Sequence, residues 1–344
     1  MKRSFVPLLV VGLVAGGVIG HGRALAANQP ADSTRAAPAD SVPDPALHVR
    51  EPDLVVSNQA GKKEPNRFHL RLQLLRFGLT GVYDTNIDHN LADTNSHGFI
   101  GHLQGLIRTN PRPPYAWFGY DGGYQAFSSS TMWDRWEHQA ELGARIPLHD
   151  TWSFVVSGDY DDRLASEDRY IVNQFTATPQ LRYDLKRFGA RAYGTYRWRI
   201  YENRPLYDEK IWMAGSELRV NPGRRNIVRL GYRHEDATSD TPSRSYTRER
   251  LQLSDEIHLG RHHTFNLQGE HQWRSYPLDM VDTGATTVSR EDRRWIAGAS
   301  YVLSLPWRQD LVLDYEFEQR ISNDPKEEYV AHRVELGMRW TLLK

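Results

Sequence analysis

Polar and apolar residues alternate along this chain in about fourteen consecutive segments, with no helical run between them. Side chains of a strand point to opposite faces with a period of two, so each segment reads as a strand with one apolar and one polar face. Repeated this often, and with the last segment running into the C-terminus, the pattern predicts an all-β fold: an antiparallel, up-and-down transmembrane β-barrel of about 14 strands, with any count from 12 to 16 compatible. A quarter of the residues are charged and the mean hydropathy is −0.64, values that look soluble. A barrel removes the conflict, because only alternate residues face lipid.

The joints support the barrel. Those after even-numbered strands are short and rich in turn residues: Asn110-Pro111-Arg112-Pro113-Pro114, Pro147-Leu148-His149-Asp150, Lys186-Arg187-Phe188-Gly189, Asn221-Pro222-Gly223-Arg224, Gly260-Arg261-His262-His263 and Leu305-Pro306-Trp307-Arg308. Pro presets φ, and Gly and Asn accept a positive one. The joints after odd-numbered strands, such as Asp84 to Ser96, His234 to Arg244 and Arg274 to Arg293, read as longer and more polar. Outer-membrane barrels show this alternation, with short turns in the periplasm and long loops outside. A soluble sandwich or propeller also supplies many short strands, but not tight turns on every second joint.

Ahead of the strands, residues 1–26 have the parts of a signal peptide: Lys2 and Arg3, an apolar run from Phe5 to Ile19, and the small-x-small site Ala24-Leu25-Ala26. No Cys follows, which excludes a lipidated N-terminus, and with no cysteine in the chain no disulfide or thiol chemistry is available. Residues 27–65, rich in Pro, Ala, Asp and Ser, are expected to be a flexible periplasmic segment, and residues 66–344 the barrel. Removing Lys2, Arg3 and Arg23 from the 43 basic residues leaves 40 against 43 acidic ones, a balance that gives no reason to expect a nucleic-acid partner. The stretch from Phe68 to Tyr83 switches parity near Leu74-Leu75, which predicts a bulge.

The segment at 190–201 separates its faces clearly. Ala190, Ala192, Gly194, Tyr196, Trp198 and Ile200 share one side, and Arg191, Tyr193, Thr195, Arg197, Arg199 and Tyr201 the other. Three arginines turned to hydrocarbon would cost about 2–4 kcal/mol each, so the second set is assigned to the lumen. The same parity gives the lumen Asp121, Glu137, Glu141, Asp159 and Asp161, then Arg219, Arg229, Arg233, Arg250, Glu256 and Glu270. Asp314, Glu316, Glu318, Arg333 and Arg339 follow. Ordered round a wall, these residues place an arginine-rich arc between acidic arcs. That arrangement suits either a water-filled channel with a transverse field or a lumen closed by its own ion pairs. Trp136, Trp152, Tyr160, Trp212, Trp273, Trp295 and Trp340 lie near strand ends and are candidates for aromatic girdles at the membrane boundary.

Signals for catalysis are weak: no Gly-x-Ser-x-Gly, His-Glu-x-x-His or phosphate loop occurs, and no enzyme activity or cofactor is expected. His262-His263 reads as a solvated turn, and Asp84, Asp88 and Asp93 as a solvated loop in preference to a Ca²⁺ site.

The first strand ends in Gly81-Val82-Tyr83-Asp84-Thr85-Asn86-Ile87, and the last hairpin carries Tyr315-Glu316-Phe317-Glu318 and His332-Arg333-Val334-Glu335-Leu336-Gly337-Met338-Arg339-Trp340. These stretches resemble the opening and closing strands of Gram-negative outer-membrane porin-like barrels, a group that includes barrels tied to exopolysaccharide export. They are also similar to the barrel of surface lipoprotein assembly modifiers, although the segment before the strands is too short for the helical-repeat domain of those proteins. Such barrels end on an aromatic residue; here Thr341-Leu342-Leu343-Lys344 follows Trp340, which takes the part of that signal unless Leu342 is read instead. The resemblance implies a bacterial outer-membrane location, with membrane lipid and the barrel-assembly machinery as partners. It also implies passive passage of small polar solutes; the alternatives are an export conduit for a polymer or lipoprotein, and a non-conducting or lipid-modifying barrel.

Overall fold

The computed structural model describes residues 70–343 apart from 86–94, 111–112, 129–133, 166–171, 202–204, 224, 283 and 285. The expected leader, the segment 27–65, Asp88 and Asp93 lie outside the described residues. Fourteen strands follow one another: β1 (Arg71–Asp84), β2 (Ser96–Arg108), β3 (Tyr115–Phe127), β4 (Arg135–Pro147), β5 (Trp152–Ala165), β6 (Val172–Asp184) and β7 (Phe188–Tyr201). The second half comprises β8 (Glu209–Val220), β9 (Asn226–Ser239), β10 (Tyr246–His258), β11 (His263–Asp282), β12 (Thr287–Leu305), β13 (Gln309–Ser322) and β14 (Tyr329–Leu343). Each pairs antiparallel with its chain neighbours, and β14 pairs with β1, so the sheet closes on itself without an edge.

Closure satisfies the backbone in a medium that cannot. A 13-residue strand such as β2 rises ~43 Å along its axis and ~33 Å when tilted by about 40°, enough to cross the hydrocarbon core. The outward residues are mostly apolar and exposed, among them Leu79, Leu103, Phe118, Leu142, Leu230 and Leu336. A closed wall of fourteen strands, apolar outside and charged inside, is a membrane-spanning barrel of the bacterial outer-membrane type.

The joints after even-numbered strands are tight. Backbone bonds Thr109 N to Ala116 O, Leu148 N to Trp152 O, Leu185 N to Phe188 O and Leu259 N to His263 O close four of them. Gly260 takes φ 103° and Trp307 and Arg308 take φ near 60°, the left-handed geometry that reverses the chain in so few residues. The described residues of the other joints lie at the opposite, loop rim.

Two expected loops are shorter than anticipated. Strand β11 continues to Asp282 and β12 begins at Thr287, so the joint expected between Arg274 and Arg293 shrinks to residues 283–286. Likewise β9 runs on to Ser239, leaving 240–245 where a joint from His234 was expected. Beyond the lipid a hairpin needs no apolar face, so Glu291 and Arg293 point outward there and alternation ceases to mark the strand. The bulge near Leu74-Leu75 is present: the register of β1 shifts between Leu72 and Leu74 against β2, and between Leu75 and Arg76 against β14.

Candidate functional site

Ion pairs that skip a strand identify the inner face. Arg145 on β4 reaches Asp184 on β6 at 2.8 Å, and Arg219 on β8 reaches the same carboxylate at 3.4 Å. Side chains two strands apart converge in this way only on the concave side of a barrel. On that face lie Asp121 (β3), Glu137 and Glu141 (β4), Asp159 and Asp161 (β5), and Arg191, Arg197 and Arg199 (β7). Arg219 (β8), Arg229 and Arg233 (β9), Arg250 and Glu256 (β10), Glu270 (β11), Asp314, Glu316 and Glu318 (β13), and Arg333 and Arg339 (β14) share it.

From the short-turn end to mid-height the interior holds a cavity of about 340 Å³. Arginines of β7 to β10, among them Arg191, Arg197, Arg219 and Arg233, line one stretch of its wall, and Glu141 and Asp159 on β4 and β5 flank them beyond β6. Several of these arginines pair with carboxylates: Arg191 with Glu217 at 2.6 Å, Arg229 with Glu256 at 3.4 Å and Arg250 with Glu270 at 3.3 Å. A smaller space of about 60 Å³ between β2 and β5 is lined by Asp121, Glu137 and Asp161. The charge arcs are thus separated in space as they are along the chain.

Toward the loop rim the inner face from β8 to β14 is densely packed. Ile211, Met213, Ala237, Tyr246 and Tyr276 form a buried apolar cluster inside the barrel. Guanidiniums stack on its rings: Arg274 lies 4.7 Å from the Tyr246 centroid and Arg290 lies 3.6 Å from that of Tyr276. Glu235 is wholly buried, binding Arg248 and, at 2.6 Å, Arg233. Glu209 takes Arg199 at 3.3 Å and Arg244 at 3.7 Å. Asp292 takes Arg320 at 2.5 Å, and Glu318 takes Arg294 and the Tyr329 hydroxyl. Glu327, in the loop joining β13 to β14, lies 2.9 Å from Arg320 and 3.7 Å from Arg290; burial pushes its carboxyl up against the pull of both cations. A polar chamber near the short turns is thus followed, toward the loop rim, by a charged and aromatic layer along β8 to β14, called the lid. Of the lid only Arg233, Arg199 and Glu318 were singled out in the sequence. Glu209, Arg248, Arg290 and Asp292 sit where the alternation merges into loop-like polarity, and only continued period-two counting reaches them.

On the outer face, Trp136, Tyr160, Trp212, Trp273 and Trp295 lie toward the loop rim, and Trp152 and Trp340 at the short-turn end. Each belt is stitched across strands: Tyr124 to Trp136 at 4.8 Å and Tyr196 to Trp212 at 4.5 Å above, Trp152 to Tyr183 at 4.8 Å and Phe77 to Trp340 at 5.8 Å below. Trp152 and Tyr160 on one strand are ~20 Å apart along the barrel axis, close to the height of an outer-membrane apolar band. Asp84 ends β1 buried on the inner face, not in a solvated loop. His262 and His263 are exposed at the short-turn rim, and their Nδ1 atoms lie 3.2 Å from the Ser304 carbonyl and 2.6 Å from the Tyr301 hydroxyl.

No protein-family model matches the chain, and no curated protein does. Among solved structures, the outer-membrane channel DcaP of Acinetobacter baumannii aligns with a TM-score of 0.50 at 11% identity, over 83% of this chain and 100% of that one. An anion-selective porin from Comamonas acidovorans gives 0.49 at 10%, over 80% and 100%, and a bacterial polysaccharide outer-membrane secretin gives 0.43 at 12%, over 78% and 98%. At such identities the likeness is one of fold. The chain has the closed-barrel fold of bacterial outer-membrane channels.

Proposed function

We propose that this barrel is a passive channel for small hydrophilic solutes. The observation that carries the reading is the polar chamber of about 340 Å³, lined by arginines of β7 to β10 and, beside them, by Glu141 and Asp159 of β4 and β5. Charges of opposite sign separated along a low-dielectric wall set up a field inside the chamber, which favours solutes with polar or charged groups over apolar ones of equal size. In this reading the lid narrows the path at the loop rim, and its movement makes the openings intermittent.

The test is conductance of the refolded protein in planar bilayers, with reversal potentials measured across a salt gradient. Discrete channel openings are expected. Arg191→Glu with Arg197→Glu, both in the chamber wall, should shift selectivity toward cations. A folded protein that never conducts, or reversal potentials unmoved by the double substitution, would remove the channel reading.

A further inference from the structure

The interior cations are mostly paired; those of the short-turn rim are not. Lys186, Arg187, Arg225, Arg261 and Arg308 are exposed there, and none forms an ion pair with a described carboxylate. Asp150 is the one acid among the described residues of those six turns. The opposite rim has the reverse balance: its described joints carry Asp134, Asp208, Asp240, Asp324, Glu327 and Glu328 against Arg244 and Lys326. Among the described residues, the turns and joints of a chain of near-zero net charge are thus polarised along the barrel axis.

The cationic turns also expose large apolar side chains. Leu148, Leu185, Leu259 and Leu342 are open at this rim, and Trp307 is 90% exposed in a left-handed turn beside Arg308. The last outward apolar residues, such as Phe188 beside Arg187 or Ile257 four residues before Arg261, lie one to four residues from the cations. At ~3.3 Å per residue, that sets the charges a few ångströms beyond the hydrocarbon edge, where the headgroup layer of a bilayer lies. Solvent alone gives no reason for a ring of unpaired cations with leucines and a tryptophan between them. A phospholipid surface satisfies both, taking the apolar groups at its acyl edge and the cations at its phosphates.

We infer that the short-turn rim is a docking collar for anionic phospholipid headgroups of the leaflet it meets. In an outer-membrane barrel this rim faces the periplasm, so the lipid is that of the inner leaflet. The occupant is set by complementary charge and depth, independently of whether the barrel conducts.

The test is native mass spectrometry of the full folded protein in detergent, titrated separately with phosphatidylglycerol and phosphatidylcholine. Several-fold preferential uptake of phosphatidylglycerol is expected, and raising the salt should abolish the preference in the unaltered protein. Arg187→Gln, Arg225→Gln, Arg261→Gln and Arg308→Gln together should equalise the two lipids, while Lys326→Gln, exposed at the other rim, should leave the preference intact. Equal uptake by the unaltered protein would overturn the collar, as would a preference indifferent to salt or kept by the quadruple variant. Retention on peptidoglycan sacculi without any lipid preference would overturn it too. If the quadruple variant fails to fold, the salt dependence of the unaltered protein decides.

Discussion

Glu235 exposes no surface, and its carboxylate stands between Arg248 and Arg233. Taking charges out of water is costly, so such a group persists only where opposite charge compensates it. Glu235→Ala leaves two arginines facing each other without their common acceptor. The expected cost is about 3–5 kcal/mol, the range for removing one member of a buried pair. It is read as a lower temperature at which the folded, fast-migrating band in detergent electrophoresis is lost. Combining it with Arg248→Ala should recover part of the loss, because the double variant removes the uncompensated charge as well. Equal melting of Glu235→Ala and the unaltered barrel would mean that the lid is ornamental to stability.

At the scale of strands, register is pinned by aromatic rings lying over glycines. Trp117 on β3 pairs with Gly143 on β4, and Tyr193 on β7 with Gly215 on β8. A Cβ on Gly143 would lie 2.1 Å from the Trp117 ring, and one on Gly215 would lie 2.4 Å from that of Tyr193. Each ring covers the backbone that its partner leaves bare, and neither pair survives a shift by one residue. Gly215→Val should therefore push Tyr193 into the chamber, costing about 1–3 kcal/mol by overpacking and lowering single-channel conductance. Both quantities unchanged would show that the ring has room to swing elsewhere. How much of the barrel the sequence discloses follows from where lipid is. Along β7 every second residue must be apolar, so Arg191, Arg197 and Arg199 could be assigned inward by parity, and the parity break at Leu74-Leu75 exposed the bulge in β1. Above the bilayer that constraint lapses. The upper parts of β11 and β12, with Arg290 and Asp292, therefore read as loop, and the lid they build was not legible. The glycine–aromatic pairs were equally hidden, because pairing across strands depends on register, which alternation alone does not supply.

At the scale of the whole molecule, cations gather at one rim and carboxylates at the other, with the chamber between them. Ions entering from the short-turn side meet a positive field that concentrates anions; those entering from the loop side meet a negative one that concentrates cations. A channel so polarised should rectify, passing unequal currents at equal and opposite voltages when all molecules insert in one direction. The effect belongs to exposed charges, so salt governs it. The screening length is about 10 Å at 0.1 M and about 3 Å at 1 M, so rectification should be marked in dilute electrolyte and nearly absent in concentrated electrolyte. Neutralising Arg187, Arg225, Arg261 and Arg308 should weaken it without moving the lid, which lies at the other end. Currents symmetric at every salt concentration would show that the rims are too far from the ion path to bias it, and would confine electrostatic control to the arginine wall of the chamber.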